Sequence, residues 1–145
     1  MQITYSAFSS QPTPAQLDTY PGAALWYLLD GDLLITEHGR TFWQEDFPLF
    51  RLAALLHHWL AYRPAPLDES RLVVEDFRDE PALVIRRQAP DVTLTWTEEG
   101  RAVSSVAVIE AEFTRASQAF LQQLQTDVQV RFGVDMHPLL RGIPF

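Results

Sequence analysis

Apolar and polar positions alternate in short blocks along most of this chain and lengthen into helical stripes at two places. Gln2 to Phe8 reads as an opening strand. The following SSQPTPAQLDTYPG is rich in turn formers and holds three of the ten prolines, which predicts a surface loop. Three strands are expected next, Ala24–Leu29, Leu33–Thr36 and Thr41–Trp43. Asp30-Gly31 and His38-Gly39 separate them, and Asp-Gly between apolar runs is a strong hairpin signal. In FPLFRLAALLHHWLAYRP the period changes. At 100° per residue Leu49, Leu52, Ala53, Leu56 and Leu60 share one stripe, with Trp59 at its margin. Asp46 is the expected N-cap, Pro48 suits the first turn, and Pro64 and Pro66 forbid continuation.

Four further strands are expected at Arg71–Phe77, Ala82–Arg87, Val92–Thr97 and Ala102–Ile109, with breaks at Arg78–Pro81, Gln88–Asp91 and Glu98–Gly100. A closing helix over Arg115 to Phe132 places Ala116, Phe120, Leu124 and Val128 on one face, with Thr114 as its cap and Gly133 as its stop. The order is strands, helix, strands, helix. TWTEEGRAVSS echoes YLLDGDLLITE in architecture, with side-chain agreement too poor to define a duplication. These patterns predict one α+β domain over residues 1–145: an antiparallel sheet of about six to eight strands, in meanders, with two amphipathic helices on one face.

Composition narrows the function. The 145 residues suit a single core, and the longest apolar run, Ala23 to Leu29, is far shorter than the ~20 residues of a membrane-crossing helix. The N-terminal MQITYSAFSS has neither a basic leader nor a compact apolar segment, so no secretory signal is expected. Cysteine is absent, which removes disulfide and thiolate chemistry. A net charge of −8 disfavours nucleic acid and suits a basic protein partner. All 11 basic residues are arginine, and lysine and asparagine are missing, a codon bias of GC-rich bacterial genomes.

No motif carries chemistry outright. GxSxG, GxGxxG and GxxxxGK[ST] are absent, and Ser104-Ser105 falls within a strand. His57 and His58 are adjacent, about 100° apart on a helix, and positions three and four away offer no second ligand. His38 sits in a hairpin turn and His137 before Pro138. No catalytic residue, metal or cofactor is therefore assigned.

Acidic residues form the suggestive group. Glu75, Asp76, Asp79 and Glu80 crowd VVEDFRDEP, and Glu98-Glu99 occupy another turn that a meander could bring to the same end of the sheet. Exposed there, these carboxylates would meet arginines and lysines of a partner and speed encounter by steering. Trp96 beside them is read two ways, as core or as an interface anchor. The alternative is a small hydrolase or ligand-binding enzyme using carboxylates and a histidine in a sheet–helix groove. A homodimer through an open sheet face or edge is a third reading.

WYLLDGDLLITEHGRTFWQEDFPLFRLAALLHHWL, with a hairpin, an acidic residue before Phe-Pro and an aliphatic helix ending in Trp-Leu, resembles a family of small uncharacterised bacterial domains. EAEFTRASQAFLQQL is similar to the closing helix of that family, and the two segments cover about a third of the chain. Some members of the family look like immunity proteins that neutralise toxins of polymorphic-toxin systems. The resemblance implies a cytoplasmic protein that acts by binding, and it carries no catalytic residues.

Overall fold

The computed structural model describes residues 1–62, 69–73 and 82–143. The α+β class is observed, and the described residues form two antiparallel sheets and five helices in place of one large sheet and two helices. Strands β1 (Gln2–Ser10), β2 (Asp30–Glu37) and β3 (Arg40–Pro48) form the first sheet, in the order β1-β2-β3. Strands β4 (Glu69–Val73), β5 (Ala82–Gln88), β6 (Asp91–Glu98) and β7 (Arg101–Ile109) form the second, in the order β4-β5-β6-β7. Between β1 and β2 come α1 (Pro14–Thr19) and α2 (Pro21–Leu28); α3 (Leu49–Tyr62) follows β3, and α4 (Glu110–Phe132) and α5 (Met136–Arg141) close the chain. Pro64 and Pro66, and the part of the expected strand and turn over 74–81, lie outside the described residues.

Two of the corrections have local causes. The expected loop contains α1, started by Thr13, whose side chain accepts from the Gln16 N–H while the Gln16 side chain accepts from the Thr13 N–H. The expected strand Ala24–Leu29 is instead the end of α2, begun by Pro21 in its first turn. A short continuous apolar run fits a buried strand or a buried helix equally well by periodicity, and here the proline decides. Asp46 and Pro48 end β3 rather than opening a helix, and the Leu49 N–H donates to the Leu29 carbonyl at 3.0 Å.

Each sheet contains one copy of a repeated hairpin-and-helix unit. Strands β2 and β6 begin at Asp30 and Asp91, β3 and β7 at Arg40 and Arg101, and α3 and α4 at Leu49 and Glu110, each pair 61 positions apart. Both hairpins turn on two residues with positive φ, His38-Gly39 (48° and 74°) and Glu99-Gly100 (51° and 73°), the two-residue turn that follows strand twist. Both carry their register shift at the same place, between Ile35 and Thr36 and between Trp96 and Thr97. At the helix starts, Leu49 donates to the Leu29 carbonyl and Glu110 to the Pro90 carbonyl. In sequence the match is DGDLLITEHGRT with DVTLTWTEEGRA, six identities in twelve residues. The echo noted above therefore exists in another alignment: TWTEEGRAVSS pairs with LITEHGRTFWQ, and Asp30-Gly31 is strand rather than turn.

Asp91–Val92 has a valine where the first unit has Gly31. A Cβ at Gly31 would lie 2.5 Å from Leu49 Cδ1 and 2.8 Å from the Ala7 carbonyl oxygen, so the start of α3 leaves no room for one. Gly31→Ala is expected to destabilise by about 1–3 kcal/mol, read as a lowered urea midpoint.

Each helix buries its apolar side between the units. Ala116, Phe120, Leu124 and Val128 of α4 are all buried, together with Phe113 and Ser117. Gly133 ends α4 in the left-handed conformation, at φ 67°. Helix α3 is buried well beyond its expected stripe, with Phe50, Arg51, Ala54 and Leu55 also covered, because α2, α4, α5 and strands of both sheets surround it. Arg51 is accommodated by donating from Nε to the Trp26 carbonyl at 3.1 Å and by lying over the Trp26 and Tyr27 rings. Trp59 of α3 meets Phe113 of α4 edge to face at 5.8 Å.

Helix α4 also crosses to the other unit. Phe120 packs edge-on against Tyr5 at 6.0 Å, Phe132 stacks on Phe8 at 5.8 Å, and the Tyr5 hydroxyl donates to Asp127 Oδ2. Burial first, then the hydrogen bond and charge of Asp127, push the Tyr5 hydroxyl well above the ordinary tyrosine range. The unfolded chain ionises Tyr5 first, so its contribution is complete below pH ~10 and declines as pH rises further. Tyr5→Phe should cost about 1–3 kcal/mol at neutral pH and flatten that alkaline decline, both measurable by urea unfolding at pH 7 and above 10.

Candidate functional site

The β6–β7 hairpin presents Glu98 and Glu99 at the surface of the second sheet, both exposed. Glu99 holds a left-handed conformation in the turn, φ 51°. Glu98 is fixed from beneath: the Trp96 indole N–H donates to Glu98 Oε1 at 2.8 Å. Trp96 itself is only 5% exposed and packs against Trp43 at 4.2 Å and Phe47 at 6.2 Å. It therefore sits in the core as a support for Glu98, with almost no surface of its own to offer a partner. Arg101 stands opposite Glu98 in the register, yet among the described residues neither Glu98 nor Glu99 forms an ion pair with an arginine.

Glu75, Asp76, Asp79 and Glu80 lie outside the described residues. The described strand ends that flank them are informative. Val73 pairs with Ala82, and Ala82 with Thr97, the residue before Glu98. Strands β4 and β5 thus meet at the end of the sheet that carries the Glu98-Glu99 turn.

The histidines are dispersed between two regions. His38, in the β2–β3 turn, has its Nε2 3.0 Å from Glu37 Oε1, and Glu37 Oε2 lies 3.1 Å from the Met1 amino group. His58 packs on Tyr62 at 4.6 Å. His57 faces α5. Burial first, then the nearby charges of His137, Arg141 and His58, lower its pKa below the ordinary value. The unfolded state therefore takes up the proton first, and stability falls as pH drops through ~6.5. His57→Gln should reduce that acid-side loss, measured as the difference in urea midpoint between pH 7 and pH 5. Among the described residues no three His, Asp or Glu side chains converge as a metal site.

A second feature was not foreseen. Between the β2–β3 turn and β7 lies a cleft of about 600 Å³, lined by Glu37, His38, Arg40, Thr41, Phe42 and residues 104–106. It joins residues roughly sixty positions apart, and no local pattern marks it. Its one sequence signal is the T-E-x-G-R repeat at Thr36 and Thr97, which places β3 and β7 in equivalent positions.

Among the described residues no helix is long and apolar enough to cross a membrane. No family model matches the chain, and neither a curated protein nor a solved structure matches it.

Proposed function

We propose that this chain is a non-enzymatic binding domain that covers a basic site on a partner protein with the acidic corner around Glu98 and Glu99. Glu75, Asp76, Asp79 and Glu80, which lie outside the described residues, are assigned the same role on their sequence alone. One observation carries the reading: Glu98 is held in place by a buried indole beside exposed Glu99, and no arginine of the described chain neutralises either. A carboxylate that is fixed before binding loses less entropy when a guanidinium or ammonium group docks on it. The net charge of −8 adds long-range steering toward a basic surface. The resemblance to immunity proteins fits the same mode of action, a cytoplasmic protein that masks a toxin's basic site.

The test compares wild type with a variant carrying Glu98→Gln, Glu99→Gln, Glu75→Gln, Asp76→Asn, Asp79→Asn and Glu80→Gln as bait for proteins of the source cell. A specific basic partner should be retained by wild type at low salt, released as ionic strength passes a few hundred millimolar, and lost by the variant. Equal retention by both proteins at low salt would refute the proposal.

A second reading has one observation in its favour: Glu37, His38, Ser104 and Ser105 share the cleft, as a hydrolase would require. No hydrogen bond joins His38 to either serine, and Ser105 is paired with Thr95 at 3.1 Å. Loss of nitrophenyl ester hydrolysis in both His38→Ala and Ser104→Ala would be needed to sustain it.

A further inference from the structure

The repeat brings the edges of the two sheets together, and their seam is filled on one side only. In the first unit Trp43 and Phe47 lie against Trp96, at 5.7 Å from one another. The positions 61 residues on are Ser104 and Val108, smaller side chains that cannot reach as far. Where Ser104, Ser105 and Val106 face Arg40, Thr41 and Phe42, the seam stays open as the cleft of about 600 Å³. That size is typical of sites for a specific ligand.

The walls are the edges of strands. Strand β3 ends the first sheet and β7 ends the second, so among the described residues neither has a strand partner on its outer side. Open edges are usually blocked by lysine, proline or inward charge, because their free N–H and C=O groups invite pairing. The β7 sequence RAVSSVAVI has neither lysine nor proline, and Val103 and Ile109 are 59% and 56% exposed. Its one guard is the bulge at Val103.

The mouth carries one exposed cation without an ionic partner among the described residues. Arg40 is exposed and in no ion pair among the described residues, and His38 stands beside it. Glu37 lies 3.1 Å from the Met1 amino group, which Glu112 also approaches at 3.9 Å, and His38 Nε2 is 3.0 Å from Glu37 Oε1. We infer that the cleft accepts an extended acidic peptide segment of a partner, which adds a strand along β7 and sets a carboxylate on the Arg40 guanidinium. Backbone pairing supplies the affinity in this mode of recognition and side-chain contacts the selectivity. Arginine is suited to the second task, since its fork can bind a carboxylate through two parallel hydrogen bonds. The site is formed by the β2–β3 hairpin and the middle of β7, Glu98 and Glu99 do not line it, and it does not depend on the reading of that corner.

The test is fluorescence anisotropy with a labelled heptapeptide of alternating threonine and valine bearing one central glutamate. The glutamate peptide should bind, and its glutamine and lysine counterparts should bind about tenfold or more weakly, the scale of a lost charge-assisted pair. Arg40→Glu should impose a similar loss on the glutamate peptide while leaving the urea midpoint unchanged, and Glu98→Gln with Glu99→Gln should have no effect. A glutamate peptide N-methylated at alternate residues, in both registers, separates strand addition from simple charge attraction, and at least one register should fail to bind. Equal affinity for the three peptides, indifference to Arg40→Glu, full binding of both N-methylated forms, or no binding at millimolar peptide would each overturn the inference. So would a dimer in sedimentation that the peptide does not dissociate, because a second copy would then occupy the edge.

Discussion

Phe120→Ala lowers the unfolding free energy by about 3–5 kcal/mol and does so in a single transition. The side chain is fully buried, and it touches Tyr5 of the other unit from the middle of α4. Truncation leaves a cavity at the junction between the units as well as within one of them. Because α4 follows β7 yet rests on β1, and α3 follows β3 yet reaches β4, neither unit holds a core without the other. Tryptophan fluorescence and far-ultraviolet circular dichroism should therefore report the same shifted urea midpoint. Two separated transitions would show that the units fold independently.

Trp96→Ala is expected to cost about 3–5 kcal/mol as well, through a different set of contacts. The indole fills the seam between the sheets against Trp43 and Phe47 and also holds Glu98. Trp96→Phe separates the two roles. It keeps a ring in the seam and removes only the N–H, so the direct loss of the hydrogen bond should be about 0.5–1.5 kcal/mol, with any repacking cost added. If the orientation of Glu98 matters for recognition, Trp96→Phe should weaken partner binding by more than its small effect on stability would explain.

The closing helix was legible because its stripe repeats at helical spacing over four turns, and Ala116, Phe120, Leu124 and Val128 are all buried. Its start was misplaced to Arg115 because Thr114 resembles a cap, whereas the chain enters α4 directly from β7 at Glu110, where Ile109 makes no side-chain cap. The two X-Gly turns at His38 and Glu99 were readable for the same local reason, since each needs two residues at positive φ. Asp30-Gly31 has the same composition, and its glycine serves a different need, the close approach of Leu49. Composition alone cannot separate those uses of glycine.

The division into two sheets could not be read from strand patterns, because a meander does not state where pairing stops. The T-E-x-G-R repeat is the sequence signal of that division, and the turn-like composition of Asp30-Gly31 masks it. Of the candidate site, Glu99 lies in the turn as the pattern predicts, whereas Glu98 is the last residue of β6 beside it. The burial of Trp96 depends on Trp43 and Phe47, which are distant in sequence, so its role as a support emerged only from the packing. The cleft was invisible for the same reason, being made by edges that lie roughly sixty residues apart.

Photo-crosslinking at the acidic corner tests the central claim most directly. Benzoylphenylalanine placed at position 99 should capture a basic partner protein in the source cell extract, with capture suppressed by salt, while the same group at position 130 on the exposed face of α4 should not. Capture from position 130 with none from position 99 would contradict the claim that this protein meets its partner through the Glu98-Glu99 turn.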